Sequence, residues 1–151
     1  MADVSVLRRL LVVCLLAGLA LSVYAALETL DPALQGTCTV NSYISCGKVA
    51  QSPYSFIGPL PVWSLGVGGF VVLLALTVLH VRSGEARWLS WLWIFAVLGL
   101  VATVALFAVE VFLINALCPV CISSYVAEWA VLGVVWRLSR ETPGASARSS
   151  A

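Results

Sequence analysis

Four long apolar runs dominate this chain and leave few folds open to it. They cover about Leu7 to Leu27, Leu60 to Val81, Trp88 to Ile114 and Leu117 to Trp136. A helix needs roughly 20 apolar residues to cross a bilayer, and each run has about that many. Composition agrees, with 62% hydrophobic and 10% charged residues and a mean hydropathy of +1.05. A soluble domain is nearer half apolar and a quarter charged. The expected fold class is therefore all-α integral membrane, a four-transmembrane-helix bundle with an outer loop carrying a cysteine pair. The net charge of +1 gives no reason to expect nucleic acid or an acidic partner. No internal repeat, soluble domain or low-complexity linker interrupts the runs. The expected domain covers 1–140, and the small, polar segment 141–151 reads as a disordered cytoplasmic tail.

The positions of the charges orient the bundle. Arg8 and Arg9 open the first run, Arg82 and Arg87 lie between the second and third, and Arg137, Arg140 and Arg148 follow the fourth. If four helices alternate, all of these fall on one side and only Lys48 on the other. Basic residues favour the cytoplasmic side. Both termini are thus expected in the cytoplasm of a multi-pass plasma-membrane protein, with the segment from Glu28 to Gly58 outside. Trp88, Trp91 and Trp93 fit the cytoplasmic aromatic belt. Val23-Tyr24-Ala25 would pass as a signal-peptide cleavage site, but the apolar core before it is longer than the usual signal core, which favours a retained helix.

This orientation puts Cys38, Cys46, Cys118 and Cys121 at the outer face, where disulfides form and persist. Cys14 lies inside the first run and reads as a small core residue. Pro119 suits the first turn of a helix, where its missing N–H costs nothing. Cys118 then falls at the N-cap and Cys121 one turn on. The partial positive charge of a helix N-terminus stabilises a thiolate. The C-x-x-C spacing allows a short disulfide that can cycle, whereas a structural disulfide resists reduction. Tyr125, four residues on, comes up near the same face. Cys38 and Cys46 would be about 12 Å apart on a continuous helix, too far to bridge. A bridge needs the chain to turn, and Asn41-Ser42 supplies turn chemistry. A mobile loop pair and a fixed helix-end pair make an electron relay chemically reasonable.

Other readings compete with this one. Structural zinc sites usually show two close cysteine pairs or added histidines, and the sole histidine, His80, falls at the cytoplasmic end of the second run. Haem attachment needs C-x-x-C-H, and Ile122 follows Cys121. Two purely structural disulfides would also satisfy the spacing. Glu110 sits near the outer end of the third run, where it either shares the thiol end or reaches the headgroups. Glu128 is near mid-helix in the fourth run and is expected to be protonated or hydrogen-bonded inside the bundle. In "SPYSFIGPLPVWSLGVGGF" three prolines forbid a regular helix through Pro61. Tyr54, Phe56 and Trp63 flank them, either as an interfacial anchor or as a lid over a pocket. Gly66, Gly68 and Gly69 would allow close helix packing.

On these residues the chain resembles the vitamin K epoxide reductase (VKOR) family, as a compact bacterial or archaeal homologue without a fused thioredoxin-like domain. The resemblance runs from the first helix to the end of the fourth. It rests on Cys38 and Cys46 at an eight-residue separation, Ser52 six residues further on, and Cys118, Cys121 and Tyr125 opening the last helix. It implies a bundle around a quinone pocket at the outer face. Cys121 would be the thiol nearest the quinone, and Cys118 would exchange with Cys46 through a mixed disulfide. Cys38 would accept electrons from a thioredoxin-fold partner acting in trans. Ser52 would support the loop, Tyr125 would hydrogen-bond a quinone oxygen, and Tyr54 and Phe56 would complete the quinone-binding set. The co-substrate would be a ubiquinone, menaquinone or vitamin K type quinone, with no metal. Ala50 stands where the animal enzymes carry a phenylalanine over the quinone, and Thr39 where an aspartate is common. The DsbB proteins are a functional analogue, but their C-x-x-C lies in the first outer loop rather than at the last helix. The expected function is a thiol–quinone oxidoreductase that supports disulfide formation. Vitamin K quinone or epoxide reduction by the same cysteines, and a non-enzymatic disulfide-stapled scaffold, are the alternatives.

Overall fold

The computed structural model describes residues 3–31, 33, 34 and 36–141. Four long helices carry the fold: α1 (Val4–Leu30), α3 (Val62–Ser83), α4 (Ala86–Ala108) and α5 (Pro119–Glu141). A five-residue helix, α2 (Cys46–Ala50), and a short hairpin of β1 (Phe56–Ile57) with β2 (Leu60–Pro61) lie between α1 and α3. A six-residue π-helical stretch, Val109–Ile114, prolongs α4. All four long helices have the length and composition of membrane spans. Of the tail expected to be disordered, Glu141 closes α5, and 142–151, with Arg148, lie outside the described residues.

Local chemistry explains the helix ends. Asp3 caps α1 by accepting the Ser5 N–H at 3.1 Å. α3 starts at Val62, directly after the Pro61 that bars an earlier start. It stops at Gly84, whose φ of +65° lets its N–H turn back to the His80 carbonyl at 3.0 Å. The fourth span begins at Pro119 rather than Leu117, because Leu117 is engaged in backbone pairing with the outer loop.

The helices pack in a closed ring, with α1 against α3 and α5, and α4 against the other faces of α3 and α5. One half of this bundle is solid. Leu7, Leu11 and Leu15 of α1 interlock with Phe70, Leu73 and Leu76 of α3, Leu89 and Leu92 of α4, and Val131, Val135 and Leu138 of α5. Cys14 packs against this core as a free thiol, as a small core residue would. Large apolar side chains such as Val13, Val101, Val104 and Phe112 face outward, as lipid-facing positions do. Near the arginine end, the Arg87 guanidinium lies over the Trp88 ring at 4.7 Å and that of Arg140 over Trp136 at 3.9 Å.

Close approach in the bundle depends on one of the three glycines the sequence suggested and on two others. Gly66 does meet α1, at Ser22, but a side chain at Gly68 or Gly69 would meet only open space. At Gly18 a Cβ would overlap the Phe70 ring, and at Gly99 it would overlap the Glu128 carboxyl. Gly18→Val is therefore expected to expel Phe70 from the core and cost about 1–3 kcal/mol, as overpacking does. Thermal unfolding in detergent, beside Gly68→Ala as the neutral comparison, checks this.

Candidate redox site

The half of the bundle opposite the leucine core is hollow. A cavity of about 550 Å³ opens there, walled by all four long helices and covered by α2 and the hairpin. The proline-rich stretch forms that cover. Tyr54, Ser55, Ile57 and Trp63 line the cavity, and Gly58 turns the hairpin at φ +63°. The segment covers the cavity with some of its residues while Tyr54, Phe56 and Leu60 stay half exposed.

The outer loop is drawn into the bundle by its own turn chemistry. The Asn41 side chain accepts the N–H groups of Tyr43 and Ile44 at 2.9 and 2.7 Å and reverses the chain. That reversal brings Cys38 and Cys46 to a Cα–Cα distance of 5.7 Å, and they are joined as a disulfide. Ser45 caps α2 by accepting the Lys48 N–H at 3.2 Å. The loop is then clamped to the start of the last helix. Leu117 N–H donates to the Tyr43 carbonyl at 2.7 Å and Ser45 N–H to the Leu117 carbonyl at 3.0 Å. Lys48 reaches the Asn115 carbonyl at 3.2 Å.

The clamp sets the two cysteine pairs side by side. Cys118, 3% exposed, is the residue before Pro119, and its sulfur accepts the Cys121 N–H at 3.2 Å, as an N-cap would. The Cys118 thiol points at the Cys46 sulfur, 3.4 Å away. Thiol–disulfide exchange proceeds by attack of one sulfur on another, and Cys46 and Cys118 are the two sulfurs brought to that approach. Cys121 is free and half-buried, and Cys46, Cys118 and Cys121 all line the cavity.

Glu110 organises this end of the cavity. It is 3% exposed and belongs to the π-helical stretch, which ends at Asn115 in the left-handed region, φ 51°. One carboxyl oxygen accepts the Tyr125 hydroxyl at 2.7 Å, and the other accepts the Cys118 N–H at 3.2 Å. Of the two positions open to Glu110 in the sequence, the bundle interior is the observed one. Glu128 is also buried, but its Oε1 has no hydrogen-bond partner.

The remaining predicted site residues divide. Ser52 lines the cavity, and its hydroxyl donates to the Val49 carbonyl at 2.8 Å, which ties the lid to α2. Tyr54 lines the mouth and is half exposed. Phe56 is 52% exposed and lies outside the lining, which its neighbour Ile57 joins instead. Successive strand residues face opposite sides, so only one of the two can face the cavity. Glu28 and Ser22, at the cavity's α1 wall, escaped notice in the sequence. Glu28 lies at the end of α1 with an oxygen 3.6 Å from the Cys38 sulfur and accepts the Thr37 hydroxyl at 3.3 Å. Glu28, Cys38 and Cys46 bring their ligand atoms within 4.8 Å of one another. A metal would need both cysteines as thiolates, and here they are bonded to each other.

Residues 9–136 match the family model described as the vitamin K epoxide reductase family. No curated protein matches the chain.

Proposed function

Because the chain belongs to the vitamin K epoxide reductase family, whose members are membrane thiol-disulfide and quinone oxidoreductases, we propose that it relays electrons from a secreted thioredoxin-fold protein to a membrane quinone. The thiol end of the bundle then lies outside the cytoplasm and both termini inside. One observation carries the reading: the Cys118 sulfur stands 3.4 Å from the Cys46 sulfur while Cys121, one turn on, opens on the same cavity.

The steps balance as follows. A reduced partner gives two electrons and two protons to the Cys38–Cys46 disulfide through attack at Cys38. Cys46, now a thiolate, attacks Cys118 of a Cys118–Cys121 disulfide and releases Cys121. Cys38 then attacks Cys46, which restores the loop disulfide and leaves Cys118 and Cys121 reduced. That end state has the same bonding as the observed one. When Cys118 and Cys121 close their disulfide again, their two electrons and two protons pass to the quinone, which leaves as quinol.

Tyr125 and Glu110 handle one of those protons. The Tyr125 hydroxyl donates to Glu110 here, so it has no proton free for a quinone oxygen. With Glu110 protonated, the bond reverses: Glu110 donates to the Tyr125 oxygen and Tyr125 to the quinone. The Cys121 thiol, which lines the same cavity as Glu110 and Tyr125, supplies the proton. A donor placed at the oxygen where charge develops is the usual means of stabilising such a step.

Anaerobic quinone reduction by the purified protein with a dithiol donor tests the proposal. Cys121→Ala and Cys118→Ala are expected to abolish turnover. Cys38→Ala is expected to impair delivery from a protein donor most. If no quinone is reduced, or if the helix-end variants match the parent, the cysteines are structural staples and the bundle is a scaffold.

A further inference from the structure

Deeper in the cavity, one turn of α5 beyond Tyr125, a carboxyl stands without a partner. Glu128 is 4% exposed, its Oε1 accepts no hydrogen bond, and its side chain lines the cavity. Among the described residues the ion pair present is Arg87 with Glu85, so no cation neutralises Glu128. A buried polar group left unpaired is costly, and in native structures such a group calls for a specific explanation. Helix packing does not explain it. Opposite, on α4, Gly99 leaves the room that the carboxyl occupies. A leucine at 128 facing an alanine at 99 would fill the same gap without a polar atom.

The placement along α5 indicates what the carboxyl meets. Cys121, Tyr125 and Glu128 fall on one face of the helix at spacings of four and three. Tyr125 and Glu128 are separated by a rise of about 4.5 Å. The Tyr125 hydroxyl reaches back to Glu110, which also bonds the Cys118 N–H, so it stands farther from the Glu128 carboxyl than that rise, as donors outside the two ends of a para-dicarbonyl ring must. The lining is largely apolar, with Phe70, Leu73, Phe95 and Leu98; of its hydroxyls, those of Thr103 and Ser124 already donate to the Leu100 and Val120 carbonyls, and Ser22 lies on the α1 wall. In its acid form a carboxyl offers one O–H donor and a carbonyl oxygen accepts it.

We propose that Glu128 is a second hydrogen-bonding post, which holds the far carbonyl oxygen of a two-carbonyl ring whose near oxygen meets Tyr125. The proposal rests on the thiol–quinone reading and adds a selectivity rule to it. The cavity accepts para-quinones and discriminates against rings with a single carbonyl, because the latter leave Glu128 unpaired. The isoprenoid or alkyl substituent then follows the apolar remainder of the cavity.

The test measures binding to the fully oxidised protein in detergent, where no turnover occurs. The probes are menadione and its single-carbonyl analogue tetralone, read by quenching of tryptophan fluorescence, since Trp63 lines the cavity. The parent is expected to bind menadione about tenfold more tightly than tetralone, the value of one buried hydrogen bond. Glu128→Leu is expected to remove that preference by weakening menadione alone, and Glu128→Gln, which keeps an N–H donor, to retain most of it. In infrared difference spectra the parent is expected to show a carboxylic C=O band that menadione shifts, tetralone does not, and Glu128→Gln lacks. Should Glu128→Leu not fold, Glu128→Gln and the infrared band decide. A preference that survives in folded Glu128→Leu, or a band that menadione leaves in place, overturns the proposal while the thiol–quinone reading stands. Failure of the parent to bind any quinone overturns both.

Discussion

Glu110→Gln is expected to uncouple the two halves of the reaction. Glutamine keeps the size of the side chain and one acceptor oxygen, so the Cys118 N–H and the bundle lose little. It cannot take up or return a proton. Quinone reduction by the prereduced protein is expected to fall by about 10²–10⁴-fold, the range for loss of a positioned acid–base group. Reduction of the Cys38–Cys46 disulfide by a small dithiol is expected to continue at the parental rate, because the loop is held by the backbone pairs at Tyr43, Ser45 and Leu117 instead. Single-turnover absorbance of the quinone follows the first quantity, and mass-tagging of the thiols after a timed quench follows the second. Glu110→Asp, which keeps the carboxyl, should recover part of the loss. Parental quinone reduction by Glu110→Gln would remove Glu110 from the proton path, and equal loss of both halves would make it a structural residue only.

The double variant Cys38→Ser/Cys121→Ser is expected to lock the bundle through a single new bond. It leaves Cys46 and Cys118, whose sulfurs already stand 3.4 Å apart, without either thiol that would resolve their mixed disulfide. Mild oxidation should close Cys46–Cys118 in nearly every molecule. Peptide mapping without reductant would show the crosslink, and Cys14, held in the leucine core, should remain free. The bond spans 72 residues, so in the chain-entropy view it should stabilise the oxidised form by up to about 4 kcal/mol over the reduced form. A chain that stays unlinked, or that links through Cys14, would contradict the proposed order of exchange.

Much of the site was legible because its chemistry is local. Pro119 after Cys118 announces a helix start whatever the rest of the chain does, and the sulfur caps that helix as expected. Asn41 announces the turn that lets Cys38 reach Cys46. Pro61 sets where α3 begins. Phe56 was harder, because two adjacent aromatic or aliphatic residues in a two-residue strand face opposite ways. The strand's rotation, which no propensity reports, chose Ile57. Glu28 carried no signal either. At the end of an apolar run it reads as an ordinary boundary charge, and only the returning loop places the Cys38 sulfur beside it.

The sequence by itself determined the number and approximate extent of the spans, and which cysteines pair up at one end of the bundle. Those properties follow from hydropathy, proline geometry and thiol spacing, each of which acts within about one or two helical turns. Only the tertiary structure decided which sulfur faces which, that Glu110 turns inward to Tyr125 and Cys118, and that Glu128 is left without a partner beside Gly99. These depend on the rotation of each helix about its own axis and on the π-helical stretch before Asn115. Both are set by packing between segments far apart in the chain, where a rotation of one residue moves a carboxyl from the cavity to the lipid.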